Sequence, residues 1–158
     1  MATPTTTAPQ AYLRNKLLSA SPAELRLMLI DGAIRFTTQA RAGYEARDFE
    51  AAYEGTTKAQ AILMELMNAL RPEQAPELCA RLSSLYTFMY SNLVKASSTR
   101  DLALVDQVLE LLRFERETWE LCMGELAKEN RAASAMRTVP TVAPSAAPEA
   151  RARISVVG

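Results

Sequence analysis

The chain contains no histidine. That excludes Ser-His-Asp and Cys-His nucleophilic catalysis, and the Glu-x-x-His ligands of a ferritin-like di-iron bundle. A histidine phosphorelay is excluded on the same ground. The two cysteines, Cys79 and Cys122, form no CxxC pair and no zinc-ligand spacing. Each falls inside a helical pattern, as a small core or near-surface thiol of a reducing compartment would. Glycine is scarce, at 5 residues, and no glycine-rich loop is present to cradle a phosphate. Valine, isoleucine and threonine never fall into the alternating runs that mark strands. Charge of one sign is missing too. Lys plus Arg and Asp plus Glu number 18 each, so no net field draws the protein to nucleic acid or to an anionic membrane. No aliphatic run is long enough to cross a bilayer. Met1 to Gln10 has neither the basic start nor the apolar core of a secretory signal.

What remains is a chain of 158 residues, 49% apolar and 23% charged, suited to one domain with a sizeable core. The clearest local signal is Ser21-Pro22-Ala23-Glu24. Ser21 is placed to cap a helix, Pro22 to occupy its first turn, and Glu24 to complete a capping box. The helix that follows runs to about Tyr44 and carries two apolar stripes. Leu25, Met28, Leu29, Gly32, Ala33 and Phe36 gather on one face; Leu27, Ile30 and Ile34 lie nearly opposite. A surface helix needs only one such stripe. Either this helix is buried on two sides, or its second stripe is covered by something that comes and goes.

Three further helical patterns follow. One starts at the candidate cap Asp48 and reaches Leu70, another runs from about Pro76 to Ser97, and the last is capped by Asp101 and continues to about Lys128. Pro72 and Pro76 punctuate the second connection. Four helices of this length with short connections fold back as an antiparallel up-down four-helix bundle. The fold class is all-α. Residues 1–11, rich in Thr and Pro, are expected to be disordered, residues 12–128 to form the bundle, and the Ala/Pro-rich residues 129–158 to be a flexible tail. The short segment Tyr12 to Leu18 carries too much apolar surface to leave in water, and is expected to pack across the bundle.

Catalysis finds little support. Glu115, Glu117, Glu120 and Glu125, with Arg113 and Arg116, form the densest charge cluster, and their spacing suits ion pairs on a solvated helix face. A small enzyme working with Arg, Glu and Lys needs inward-facing charge, and the expected inward positions are apolar. The positive signal is surplus apolar surface. Leu27, Ile30, Ile34, Tyr86, Tyr90, Val94, Leu104, Leu111 and Phe114 lie outside or at the edges of the main stripes. Such surfaces take amphipathic partner helices.

The order and spacing of several segments resemble one family. Gln10-Ala11-Tyr12, then Leu18-Ser19-Ala20-Ser21-Pro22, then Leu27-Met28-Leu29-Ile30-Asp31-Gly32-Ala33 are similar to the opening of the FliS family of flagellar secretion chaperones. Ala59 to Leu66, Leu85-Tyr86 with Met89 and Leu93, and Val108 to Leu112 with Trp119 resemble its later helices. The resemblance covers roughly Gln10 to Leu126. It implies a cytoplasmic, non-enzymatic chaperone without cofactor or metal. Its client is the disordered C-terminal segment of flagellin, held unpolymerised and presented to a component of the flagellar type III export gate. Carried over residue by residue, partner contacts fall on Tyr12, Leu17 and Leu18, on Leu27, Ile30 and Ile34, and more loosely on Tyr86 and Tyr90. Thr87, Ser91, Asn92 and Ser97 depart from the family's charged pattern, so ionic contacts made there by relatives do not transfer. The free protein is expected to be a monomer or weak dimer. The competing reading is a helical homodimerisation or interaction module without a flagellin client.

Overall fold

The computed structural model describes residues 8–138, and among them every regular element is helical. α1 spans Ala8–Ser19, α2 Pro22–Ala46, α3 Phe49–Asn68, α4 Pro76–Thr99 and α5 Leu102–Arg137. The helix starts follow their local chemistry. Ser21 Oγ accepts from the Glu24 backbone N–H at 3.2 Å, and the Ser21 N–H donates to Glu24 Oε2 at 2.7 Å. This reciprocal cap satisfies two donors of the first turn of α2. Asp48 caps α3 through the Ala51 N–H, and Asp101 accepts from the Ala103 N–H ahead of α5. α2 and α4 both end on left-handed residues, Arg47 and Arg100, which turn the chain sharply.

Cross-helix contacts give the topology. Tyr44 on α2 bonds Thr56 on α3, while Gly32 faces Ile62, so α2 and α3 run antiparallel. Tyr86 on α4 bonds Glu115 on α5, and Asn92 bonds Gln107, which is again antiparallel. α2 and α5 pair in the same sense through Asp31 with Arg116 and Arg41 with Asp106. α2 and α4 run parallel, as diagonal members of an up-down bundle do, with Arg26 meeting Tyr86 and Tyr44 meeting Ser97. The four-helix bundle expected from the sequence is present.

Ile30, Leu63, Leu66, Tyr86, Met89, Leu93, Val108 and Leu112 fill the main core, with Leu29, Ile34, Phe36, Tyr90, Leu111 and Trp119 packed against it. A smaller cluster of Ala40, Tyr44, Ala52, Ala96 and Val105 fills the opposite end. Chain contacts divide after Glu125. The second unit, 126–158, is described only as the end of α5, where Leu126 and Met136 are exposed.

Two expectations about the chain ends change. The segment expected to lie across the bundle forms α1, which starts at Ala8 within the stretch taken as disordered; its large apolar side chains stay largely exposed, with Ala11 half-buried. The last helix continues through Arg137 instead of ending near Lys128, because Ala127 to Arg137 is rich in strong helix formers and free of proline. The expected disorder of residues 1–7 and 139–158 lies outside the described residues.

Candidate functional site

The α4–α5 seam carries a run of unburied apolar side chains. Its register is fixed by the Tyr86–Glu115 and Asn92–Gln107 bonds. With those pairs aligned, Leu78 stands level with Leu121, Leu85 with Phe114, and Phe88 with Leu111. Helix periodicity turns Phe114, Leu121 and Leu111 of α5 to the same side as Gln107. Phe114 is 69% and Leu121 66% exposed, while Leu78 and Phe88 are about half exposed. Leu85 and Leu111 are partly buried and join this strip to the core. Residues 78 to 92 rise about 20 Å along α4. At the Leu78 end, Ala75, Pro76, Glu77, Leu78 and Arg81 line a shallow depression of about 500 Å³. Glu110 and Glu117 rim the α5 side, with Arg113 one position further round the helix.

α1 is the other apolar surface. Tyr12 is 66% and Leu18 77% exposed, and Leu13 and Leu17 are half exposed. Only Ala20 and Ser21 separate α1 from α2. Ser21 is extended at φ −68° and ψ 161° within the capping box, which breaks the helix between α1 and α2.

The remaining residues expected to meet a partner divide into two groups. Leu27 and Ile34 share a face of α2 with Asp31 and Arg41, both of which pair with α5. They are half-buried in the α2–α5 seam, Ile34 between the two ion pairs and Leu27 one turn before the first. Tyr90 is partly buried against the core. Ile30 and Tyr86, by contrast, are fully buried. Of the two explanations for the double stripe on α2, burial on two sides is the one observed. Ile30 belongs to the core stripe Ile30, Ala33, Thr37, Ala40 and Tyr44, whose small and hydroxyl-bearing members concealed it. Neither Ile30 nor Tyr86 is part of the free surface.

The interior holds one charged group that the sequence placed on a solvated face. Glu115 is only 9% exposed. Its Oε1 accepts from the Tyr86 hydroxyl, which in turn accepts from Arg26 Nη2 at 2.6 Å. Its Oε2 is buried with no hydrogen-bond partner. Burial pushes the Glu115 carboxyl above its ordinary range, against the opposing pull of the Tyr86 bond and the Arg26 charge. Burial raises the Tyr86 phenol as well, helped by the neighbouring Glu115. Arg26 also lies over the Trp119 ring at 5.4 Å, and Trp119 Nε1 donates to the Ala23 carbonyl at 2.9 Å. The start of α2 is thus tied to α4 and α5 by polar contacts. Nothing between Pro22 and Leu29 is fully buried. Among the described residues no acidic or thiol cluster is arranged to hold a metal ion.

A bundle with an apolar external strip and an apolar arm is a binding protein in outline, and comparison with known proteins says of which kind. The family model described as Flagellar protein FliS matches residues 5–126. The chain belongs to the FliS family. It is 32% identical over 119 residues to the flagellar secretion chaperone FliS of Bacillus subtilis, covering 75% of this chain and 88% of that protein. It is 33% identical over 112 residues to the flagellar secretion chaperone FliS of Salmonella typhimurium, covering 70% and 83%. Against the flagellar secretion chaperone FliS of Vibrio cholerae it is 29% identical over 115 residues, covering 70% and 85%. FliS is a family of chaperones, not of enzymes, and the matched span takes in α1 and both helices of the strip. No helix among the described residues is long and apolar enough to cross a membrane.

Proposed function

We propose that this chain is a cytoplasmic export chaperone for flagellin. It binds the disordered C-terminal segment of flagellin, keeps it from polymerising, and delivers it to a component of the flagellar type III export gate. The observation that carries this reading is the α4–α5 strip, an exposed apolar surface on a member of a chaperone family. A disordered segment loses conformational entropy when it folds, so it binds usefully only by burying a large apolar area. The strip offers anchor sites at helical spacing, the arrangement that receives an amphipathic helix.

Within this reading, Tyr12, Leu17 and Leu18 contact the client through α1, and Phe88, Phe114 and Leu121 form the floor of the groove. Leu27, Ile34 and Tyr90 contribute at its half-buried margins. Ile30 and Tyr86 act from the core by holding α2 and α4 in place. The experiment is co-elution of the full chain with a flagellin C-terminal peptide from the same organism, with the complex weighed by light scattering. A one-to-one complex supports the reading; absence of any complex at about 100 µM, a weak-binding threshold, removes it.

A further inference from the structure

The start of α2 differs from the rest of that helix in what holds it. The fully buried residues of α2 begin at Ile30, and none lies in its first two turns, residues 22–29. Leu29 reaches the main core only as a partly buried neighbour, and the specific ties of these turns are polar. Arg26 Nη2 donates to the Tyr86 hydroxyl at 2.6 Å, and the guanidinium lies over the Tyr86 ring at 5.8 Å and the Trp119 ring at 5.4 Å. Trp119 Nε1 donates to the Ala23 carbonyl at 2.9 Å. We infer that the first two turns of α2 open from the bundle as one segment while the rest of the bundle stays closed, and that Arg26 on Tyr86 and Trp119 is the latch that holds them shut.

Both ends of the segment are marked. Just past it, Ile30 is fully buried and Asp31 is paired with Arg116, so the helix is anchored from there on. Gly32 stands beside that anchor, and glycine is the weakest helix former after proline. At the other end the Ser21–Glu24 capping box bonds the first turn to itself, so an opening at Gly32 leaves the box intact. Under the latch lies a group that opposes closure. Glu115 is buried, and its Oε2 has no hydrogen-bond partner. The groups that face it are the Tyr86 phenol of α4 and the Arg26 guanidinium of α2. Opening admits water to that oxygen, so the closed form carries a desolvation penalty that the open form sheds. Burial also holds the Glu115 carboxyl above its ordinary range. Ionisation as pH rises therefore favours the open, wetted form. Opening uncovers the rings of Tyr86 and Trp119 beside that carboxylate. Segments with little buried apolar area open at far lower free energy than the global fold.

The test uses the full chain alone, so it stands or falls separately from the flagellin reading. Native-state hydrogen exchange reads the opening directly. The amides of residues 26–29 are expected to exchange at one common rate, with at least about tenfold less protection than those of residues 33–40. Arg26→Met keeps the aliphatic stem and removes the charge and the donor. It is expected to lower protection of residues 26–29 about tenfold further, the scale of one lost hydrogen bond from a charged donor, and to leave residues 33–40 unchanged. Circular dichroism checks that helical content is kept. Trp119 is the chain's single tryptophan, and acrylamide is expected to quench it more strongly in this variant. In the wild type, protection of residues 26–29 corrected for the intrinsic exchange rate is expected to fall from about pH 5 to about pH 8. Glu115→Gln, which keeps an acceptor for Tyr86, is expected to remove that slope. Rates that merely grade toward the helix start are fraying and overturn the proposal. So does an Arg26→Met variant whose loss is spread equally over residues 26–29 and 33–40, or whose Trp119 is quenched as in the wild type. A pH slope that Glu115→Gln leaves unaltered overturns it too.

Discussion

The buried Tyr86 hydroxyl donates to one oxygen of Glu115 and leaves the other oxygen without a partner in the interior. This pairing ties α4 to α5 at the level of the strip. It also sets a pH dependence. The folded state holds the Glu115 pKa above its unfolded value. The contribution of this group to stability is therefore fully present below the unfolded carboxylate value near 4.3, and is lost as pH rises through the folded value. Glu115→Gln keeps an acceptor for Tyr86 and removes the titration. In urea melts of both proteins at several pH values, the stability of the glutamine variant relative to wild type is expected to improve from pH 4 toward pH 7. A constant difference would show that Glu115 titrates as it does in the unfolded chain.

α2 and α3 approach so closely that a β-carbon on Gly55 would stand 2.6 Å from the Phe36 carbonyl oxygen and 2.7 Å from the Ala40 nitrogen. These are backbone atoms, which have no rotamer to yield. Gly55→Ala gains helix propensity but forces the helices apart, and is expected to cost about 1–3 kcal/mol net. Gly124 provides the control, since a β-carbon there meets nothing within 4 Å. Gly124→Ala is expected to be neutral or to stabilise by up to about 1 kcal/mol in the same melts.

Thr37 sits in the core stripe of α2, fully buried, with a hydroxyl that has no hydrogen-bond partner. Thr37→Val replaces that hydroxyl with a methyl group of similar volume. Removing a buried unsatisfied polar group is expected to stabilise the protein by about 1 kcal/mol. A loss of stability on this substitution would mean that a water or backbone group satisfies the hydroxyl in solution.

Much of the fold was legible because the signals were local. Ser21, Pro22 and Glu24 mark the start of α2, and Asp48 and Asp101 mark the caps ahead of α3 and α5, all where the structure has them. Glu115 was misplaced because residue type was weighed over period. It lies three residues after Leu112 and seven after Val108, both buried, and that spacing alone assigns it to the core face. Ile30 was misplaced for the converse reason: its stripe is built from alanine and threonine, which carry little hydropathy. The exposure of α1 was not legible at all. Tyr12, Leu13, Leu17 and Leu18 read as a segment seeking cover, and no local signal tells how much of it the bundle covers. The strip was half visible. Leu111 and Phe114 stood outside the main stripe of the last helix, but the α4–α5 register is what joins them to Leu78 and Leu85.

The central claim is that the α4–α5 strip receives the client. The most direct measurement is the affinity of the full chain for a flagellin C-terminal peptide, compared between wild type, Phe114→Glu and Phe88→Glu. Ile30→Asp is no substitute, because it puts a charge into the closed core and tests folding instead. The account predicts a one-to-one complex with wild type, weakened at least about tenfold by either variant while helical content is unchanged. Unaltered affinity in both variants would contradict it and place the client elsewhere on the bundle.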